Sequence, residues 1–313
     1  MQLLFRSINV VILKKLILNI FDKLLSGTSK RRLEKFIFVF AVTGFLIHLL
    51  IIALVQLGYL GVAKDTIGLQ SPIDALYTPF SIILFYEVYC LIYYFPKSMT
   101  IYIGKQFEII TLITIRDMFD EISNLSLSSD LQMNRNPLFI YSMVTIIILV
   151  FLIFVFYKQN QKAIRINNNT EGMLIRLPKK KLKYLFAKQV LAIIVGIVFI
   201  ILVSINIYDW AMNNNSIINF LQNTKPVTKG FFSSFFTLLI LSDVMVLLFS
   251  FAVTDNFPKV MRNSGFVLST TLIKLSFNVT GLTSHILVVM AVLFGTLILV
   301  LYKRYKTIEV PTD

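Results

Sequence analysis

PLFIYSMVTIIILVFLIFVFY, residues 137–157, contains no charged side chain, and KQNQKAIRINNNTEGMLIRLPKKKLK, residues 158–183, follows it directly as the most basic loop of the chain. A helix needs about 20 mostly apolar residues to cross the hydrocarbon of a bilayer. Lysine and arginine next to such a helix mark its cytoplasmic end. The two stretches together therefore read as a spanning helix and its inner boundary.

Outward from this pair, seven further segments satisfy the same length rule, near 36–60, 76–95, 99–117, 184–207, 231–253, 260–278 and 284–302. The expected fold is all-α, a polytopic membrane protein of about eight transmembrane helices. Composition agrees: 57% of residues are apolar and 15% charged, where a soluble domain carries roughly a quarter charged. The third and seventh segments carry charge, and a re-entrant or interfacial helix is the alternative for each. If neither crossed, the loop 158–183 would lie outside, against the charge rule.

With both termini inside, the cytoplasmic face collects Lys14, Lys15, Lys23, Lys30, Arg31, Arg32, Lys35, Lys97, Lys259, Arg262, Lys303, Arg304 and Lys306, besides the loop. The acidic group Asp117, Asp120, Glu121 and Asp130 falls outside. The expected divisions are 1–35, a basic amphipathic interfacial segment; 36–157, a first four-helix half; 158–183, a basic cytoplasmic linker; 184–302, a second half; and 303–313, a cytoplasmic tail. Residues 1–25 fit an amphipathic helix on the inner leaflet, with a short extra span as the alternative. They are not expected to be a cleaved signal peptide, because basic residues continue after the apolar run and no small-residue site follows. A bacterial inner membrane is the expected location.

The two halves resemble one another. Phe95-Pro96-Lys97 and Phe257-Pro258-Lys259 each precede a glycine, Gly104 or Gly265, and a Thr-rich apolar stretch. Each half carries an intramembrane acid, Glu87 or Asp243. Four spans per half make this a parallel 4+4 internal repeat, related by an axis along the membrane normal.

The net charge of +14 does not indicate nucleic acid, because the basic residues sit between apolar blocks. Cys90 is the only cysteine and His48 and His285 the only histidines, which excludes an internal disulfide and disfavours a thiolate metal cluster or a bis-histidine haem. The sequence has no Walker motif, zincin pair or nucleophile elbow, so neither an enzyme nor a cofactor is expected.

A charge inside a span costs several kcal/mol and persists where it is paired, hydrated or functional. Glu87 and Glu108 fall at one depth, with Lys105 one turn below Glu108, and Asp243 is the counterpart of Glu87 in the second half. These four are the candidates for an ion or proton pathway; the competing reading is a structural network. Arg116 and Lys274 lie near outer helix ends, as interface anchors that snorkel to the headgroups or as partners of acids at an outer vestibule. Lys105 is the expected partner of Glu87, and Lys274 or water that of Asp243.

The functional expectation is a channel or transporter for a small cation or protons in the lipid bilayer. The alternative is a non-catalytic scaffold or sensor subunit of a larger envelope or export assembly. In that case the basic linker would dock a protein partner; a homo-oligomer is also compatible.

Overall fold

The computed structural model describes residues 25–59, 69, 72–124, 137–168, 179–213, 224–252 and 256–308. Among them there is no strand. Eight long helices follow one another: α1 Gly27–Gln56, α2 Tyr77–Tyr94, α3 Met99–Asn124, α4 Pro137–Asn168, α5 Lys179–Asn213, α6 Thr224–Phe251, α7 Phe257–Phe277 and α8 Leu282–Ile308. A 3₁₀ turn, Pro72–Leu76, leads into α2.

Among the described residues, six segments are long and apolar enough to cross a membrane: Gly27–Gln56, Pro72–Tyr94, Leu138–Asn160, Tyr184–Ile205, Ser234–Phe251 and Leu282–Lys306. Their outward faces carry large bare side chains such as Phe38, Phe151, Ile200 and Leu241. So much exposed apolar surface needs lipid, not water. The architecture is that of a multi-pass membrane protein.

Helices α3 and α7 fall outside that set of six, and they are the two most enclosed. Tyr102, Ile103, Phe107, Ile109, Ile110, Ile113 and Arg116 of α3 are buried, as are Gly265, Phe266, Ser269, Thr270 and Ile273 of α7. Polar residues lower the apolar content of these helices, and apolar neighbours cover them.

Side-chain pairs fix the helix directions. Glu121 meets Ser142 and Glu108 meets Tyr157, so α3 and α4 are antiparallel. Phe95 stacks edge-on against Tyr102 and Phe80 against Phe119, so α2 and α3 are antiparallel. Asn263 meets Ser250 and Lys274 meets Thr237, which makes α6 and α7 antiparallel. Leu138 lies by Gly281 and Ser142 by His285, so α4 and α8 run the same way. Within each half every helix packs on the next in sequence; between halves α4 packs on α8, α3 on α7 and α2 on α5.

Several boundaries differ from the sequence expectation. Helix α1 starts at Gly27, where Ser26 accepts a hydrogen bond from the Ser29 amide at 3.1 Å, so the division expected at 35 falls inside a helix. Helix α4 continues to Asn168 and α8 to Ile308. Their Lys- and Gln-containing flanks contain neither proline nor glycine, and nothing local stops them. Most of the amphipathic N-terminal segment and the centre of the basic linker lie outside the described residues. The two Phe-Pro-Lys motifs are not equivalent. The first is the turn between α2 and α3, whereas Pro258 sits inside the first turn of α7, capped by Asn256, whose side chain accepts from the Lys259 amide.

Candidate functional site

One helix, α3, carries two polar clusters on different faces. Lys105 and Glu108, three residues apart, form an ion pair at 2.5 Å. The Tyr157 hydroxyl of α4 donates to the other Glu108 oxygen. Both charged side chains keep about a quarter of their surface exposed. Lys105 lies 5.5 Å from the centre of the Tyr94 ring. At the same end, Lys30 donates to Tyr94 at 2.9 Å and Lys97 to Tyr93 at 3.0 Å. These tyrosines hold the lysines by cation–π contact as well as by hydrogen bonds.

Glu87 of α2 acts electrostatically on this cluster, within reach of Lys105 and Glu108. Its Oε2 is buried and has no hydrogen-bond partner among the described residues. Lys105, the basic group expected beside it, is bonded to Glu108 instead.

The second cluster lies where α3, α6 and α7 meet. Asp243 of α6 has no exposed surface. Its Oδ2 accepts from Gln106 Nε2 of α3 at 3.3 Å, and Thr270 Oγ1 of α7 lies 3.3 Å away. The Tyr102 hydroxyl lies against both Gln106 and Asp243. Tyr102 and Gln106 are one turn apart on α3, so both reach the same point. Asp243 Oδ1, Gln106 Oε1 and the Tyr102 hydroxyl are all buried and face one another, with the Tyr102 O–H the donor available to both oxygens. Lys188 of α5, also buried, acts electrostatically on Asp243, but its Nζ donates to the Lys97 carbonyl at 2.7 Å.

Depth follows from position along the helices. Glu87 lies seven residues before the end of α2 at Tyr94, and Asp243 eight before the end of α6 at Phe251. Glu108 lies nine residues after the start of α3 at Met99. At 1.5 Å per residue these are about 10–14 Å from the same face of the bundle. No carboxylate side chain reaches the headgroups from there.

The remaining sequence candidates lie elsewhere. Lys274 donates to Thr237 at 2.5 Å and does not bond Asp243; in the antiparallel pair, Thr270 faces Asp243 and Lys274 is one turn further on. Arg116 is no snorkelling anchor: it is 2% exposed, bonds Asp117 at 2.9 Å and lies over the Tyr77 ring. Thr111, Thr114 and Thr271 return their hydroxyls to carbonyls of their own helices. Tyr102, Gln106, Tyr157 and Lys188 were not legible as site residues; the only sequence signal was the polar pair Tyr102 and Gln106 one turn apart on an apolar helix.

Comparison with known proteins returned no relative: no protein-family model matches the chain, and no curated protein or solved structure matches it. The chemistry of the two clusters is the available guide to function.

Proposed function

We propose that this protein is an eight-span transport protein, a channel or transporter for a small cation or protons, with Glu87, Glu108 and Asp243 on its pathway. The observation that carries this reading is Asp243. A carboxylate buried only to hold helices together collects donors until its lone pairs are filled. Asp243 has two contacts of 3.3 Å on one oxygen, the neutral Tyr102 hydroxyl beside it, and no ion pair among the described residues. The Lys105–Glu108 pair, part-exposed on a neighbouring face of the same helix, supplies a second polar step at similar depth.

Packing supports eight spans. Helix α3 contacts α2 from Phe95 to Phe80 and α4 from Tyr157 to Ser142. A helix flanked along its length by two membrane-crossing helices crosses with them. The same holds for α7 between α6 and α8. The basic loops then lie inside, with both termini, as in a bacterial inner membrane.

The contact pattern also supports a parallel 4+4 repeat. Exchanging α1–α4 with α5–α8 maps every contact within one half onto a contact within the other, and maps the α3–α7 and α4–α8 contacts onto themselves. Only the α2–α5 contact lacks a comparable α6–α1 counterpart. Gly104 and Gly265 hold matching places, each where the third helix of its half presses on the fourth.

The test is ion and proton flux in proteoliposomes. Wild type is expected to exceed protein-free vesicles, and Asp243→Asn and Glu87→Gln each to reduce flux at least tenfold. Wild-type flux in both variants would remove these acids from the mechanism, and absence of wild-type flux would favour the assembly-subunit alternative.

A further inference from the structure

We propose that Lys30, Lys97, Tyr93 and Tyr94 bind the phosphate headgroup of an anionic phospholipid at the end of the bundle that carries the basic loops. Binding there does not require transport; only the choice of the cytoplasmic leaflet depends on the eight-span topology. The four side chains come from three places in the chain: Lys30 from the first turn of α1, Tyr93 and Tyr94 from the last turn of α2, and Lys97 from the turn into α3. All four are half-buried. The two lysines are folded into one cluster and do not extend into solvent as interfacial lysines commonly do.

Two positive charges share one pair of rings. Lys30 Nζ lies 5.4 Å from the centre of the Tyr93 ring and 4.8 Å from that of Tyr94, and Lys97 Nζ lies 4.2 Å and 5.2 Å from the same two centres. Like charges this close repel in a partly dehydrated site. Neither lysine is ion-paired with a carboxylate among the described residues. Lys105 holds Glu108, and Lys188 acts on Asp243. Glu87 acts on Lys105 ahead of Lys30. With every acid ionised, the four lysines Lys30, Lys97, Lys105 and Lys188 still outnumber Glu87, Glu108 and Asp243, and Arg31, Arg32 and Lys35 outnumber Glu34 on the adjoining turns. The cluster lacks an anion, and the chain does not supply one among the described residues.

The donors fit phosphate. Each ammonium spends one N–H on a tyrosine oxygen, at 2.9 and 3.0 Å, and keeps two more. Each tyrosine oxygen accepts from its lysine, so its own proton remains to be donated. Positively charged donors converging without a carboxylate match the oxygens of a phosphate. The surroundings select a lipid as its carrier. Tyrosine suits the headgroup level, where its ring meets acyl chains and its hydroxyl meets water. Two to three turns further along α1, Phe36, Phe38 and Phe40 are bare and suit acyl chains. An acidic segment of a soluble partner would meet the lysines but not that apolar surface. Basic clusters between helix ends on the inner side are where anionic headgroups bind.

The test follows thermal melting of the full chain in mild neutral detergent at constant ionic strength, with phosphatidylglycerol or phosphatidylcholine added. Phosphatidylglycerol is expected to raise the melting temperature saturably by about 4 °C, and phosphatidylcholine by less than about half of that. Lys30→Gln combined with Lys97→Gln should raise the half-saturating phosphatidylglycerol concentration about tenfold; the Lys97 carbonyl that Lys188 bonds is kept. Arg31→Gln combined with Arg32→Gln removes the same charge from exposed neighbours and should shift it less than about twofold. Tyr94→Phe, which keeps the ring and loses the hydroxyl, should raise it about threefold and serves if the double lysine variant does not fold. Equal losses in the two double variants would reduce the effect to general surface charge and overturn the site, as would equal stabilisation by phosphatidylcholine. Inorganic phosphate reaching the same plateau would assign the cluster to a free anion, and polyglutamate acting in place of phosphatidylglycerol would assign it to an acidic protein partner; either result overturns the lipid site. Melting is read without flux, so this outcome and that of the transport reading are separate.

Discussion

Gly295→Ala tests a close approach of α8 to α3 and α7. A Cβ added at Gly295 of α8 would lie 2.5 Å from Phe107 Cζ of α3 and 2.9 Å from Ser269 Oγ of α7. Neither neighbour yields easily. Phe107 is fully buried and packed edge-on against Phe156 with ring centres 5.2 Å apart. Ser269 donates to the Ala291 carbonyl at 2.7 Å. Overpacking of this kind costs about 1–3 kcal/mol, and displacing the serine bond about 1 kcal/mol more. Replacing glycine in a helix returns about 1 kcal/mol. The net loss of about 1–3 kcal/mol should lower the melting temperature of the purified protein by roughly 3–9 °C. Gly196→Ala is the internal control. Its Cβ would meet only Ile92 Cγ2, at 3.7 Å, so the variant should match wild type or gain up to about 1 kcal/mol. A Gly295→Ala protein that melts at or above wild type, beside a well-behaved control, would refute the tight seating of α8 on α3 and α7.

Two further predictions concern the inner cluster and the topology. Tyr157→Phe removes one donor from Glu108 and should cost about 1–2 kcal/mol, whereas Lys105→Met removes its counter-ion and should cost more; thermal melts showing the opposite order would break the described pairing. In a Cys90→Ala background, cysteines placed in 158–183 should label from the cytoplasm and those in 118–134 from outside; labelling of both from one side would rule out eight spans.

The spans were legible because an apolar run of membrane length has few other uses, and all six of the strongly apolar helices fall on segments read from the sequence. Helix ends were not legible, because the inner flanks of α4 and α8 carry no local stop signal. The Phe-Pro-Lys motifs misled because proline serves equally in a turn and in the first turn of a helix. Lys274 was mistaken as a partner of Asp243 for a related reason. Lys274 and Thr270 share a helix face one turn apart, and only the α6–α7 register decides which of them meets Asp243. Gln106 lies 137 residues away from Asp243, and a neutral side chain at that separation gives no charge pattern to read.

The enclosure of α3 and α7 bears directly on function. A helix facing lipid cannot carry Lys105, Gln106 and Glu108 without large cost. A helix walled by apolar neighbours can, provided its polar groups meet one another or an ion. In the proposed repeat, α3 and α7 are equivalent, yet the matched glycines align Lys105, Gln106 and Glu108 with Phe266, Val267 and Ser269. The charged and amide side chains at these three positions are thus confined to the first half. The second half contributes Asp243 from α6, which Gln106 meets across the interface between halves. Neither half alone holds the Asp243 cluster: Tyr102 and Gln106 come from the first, Asp243 and Thr270 from the second. Any movement of one half against the other therefore changes the Gln106–Asp243 distance and the set of oxygens around that carboxylate. The location of Asp243 thus makes its contacts with Gln106 and Thr270 depend on how α6 and α7 sit against α3.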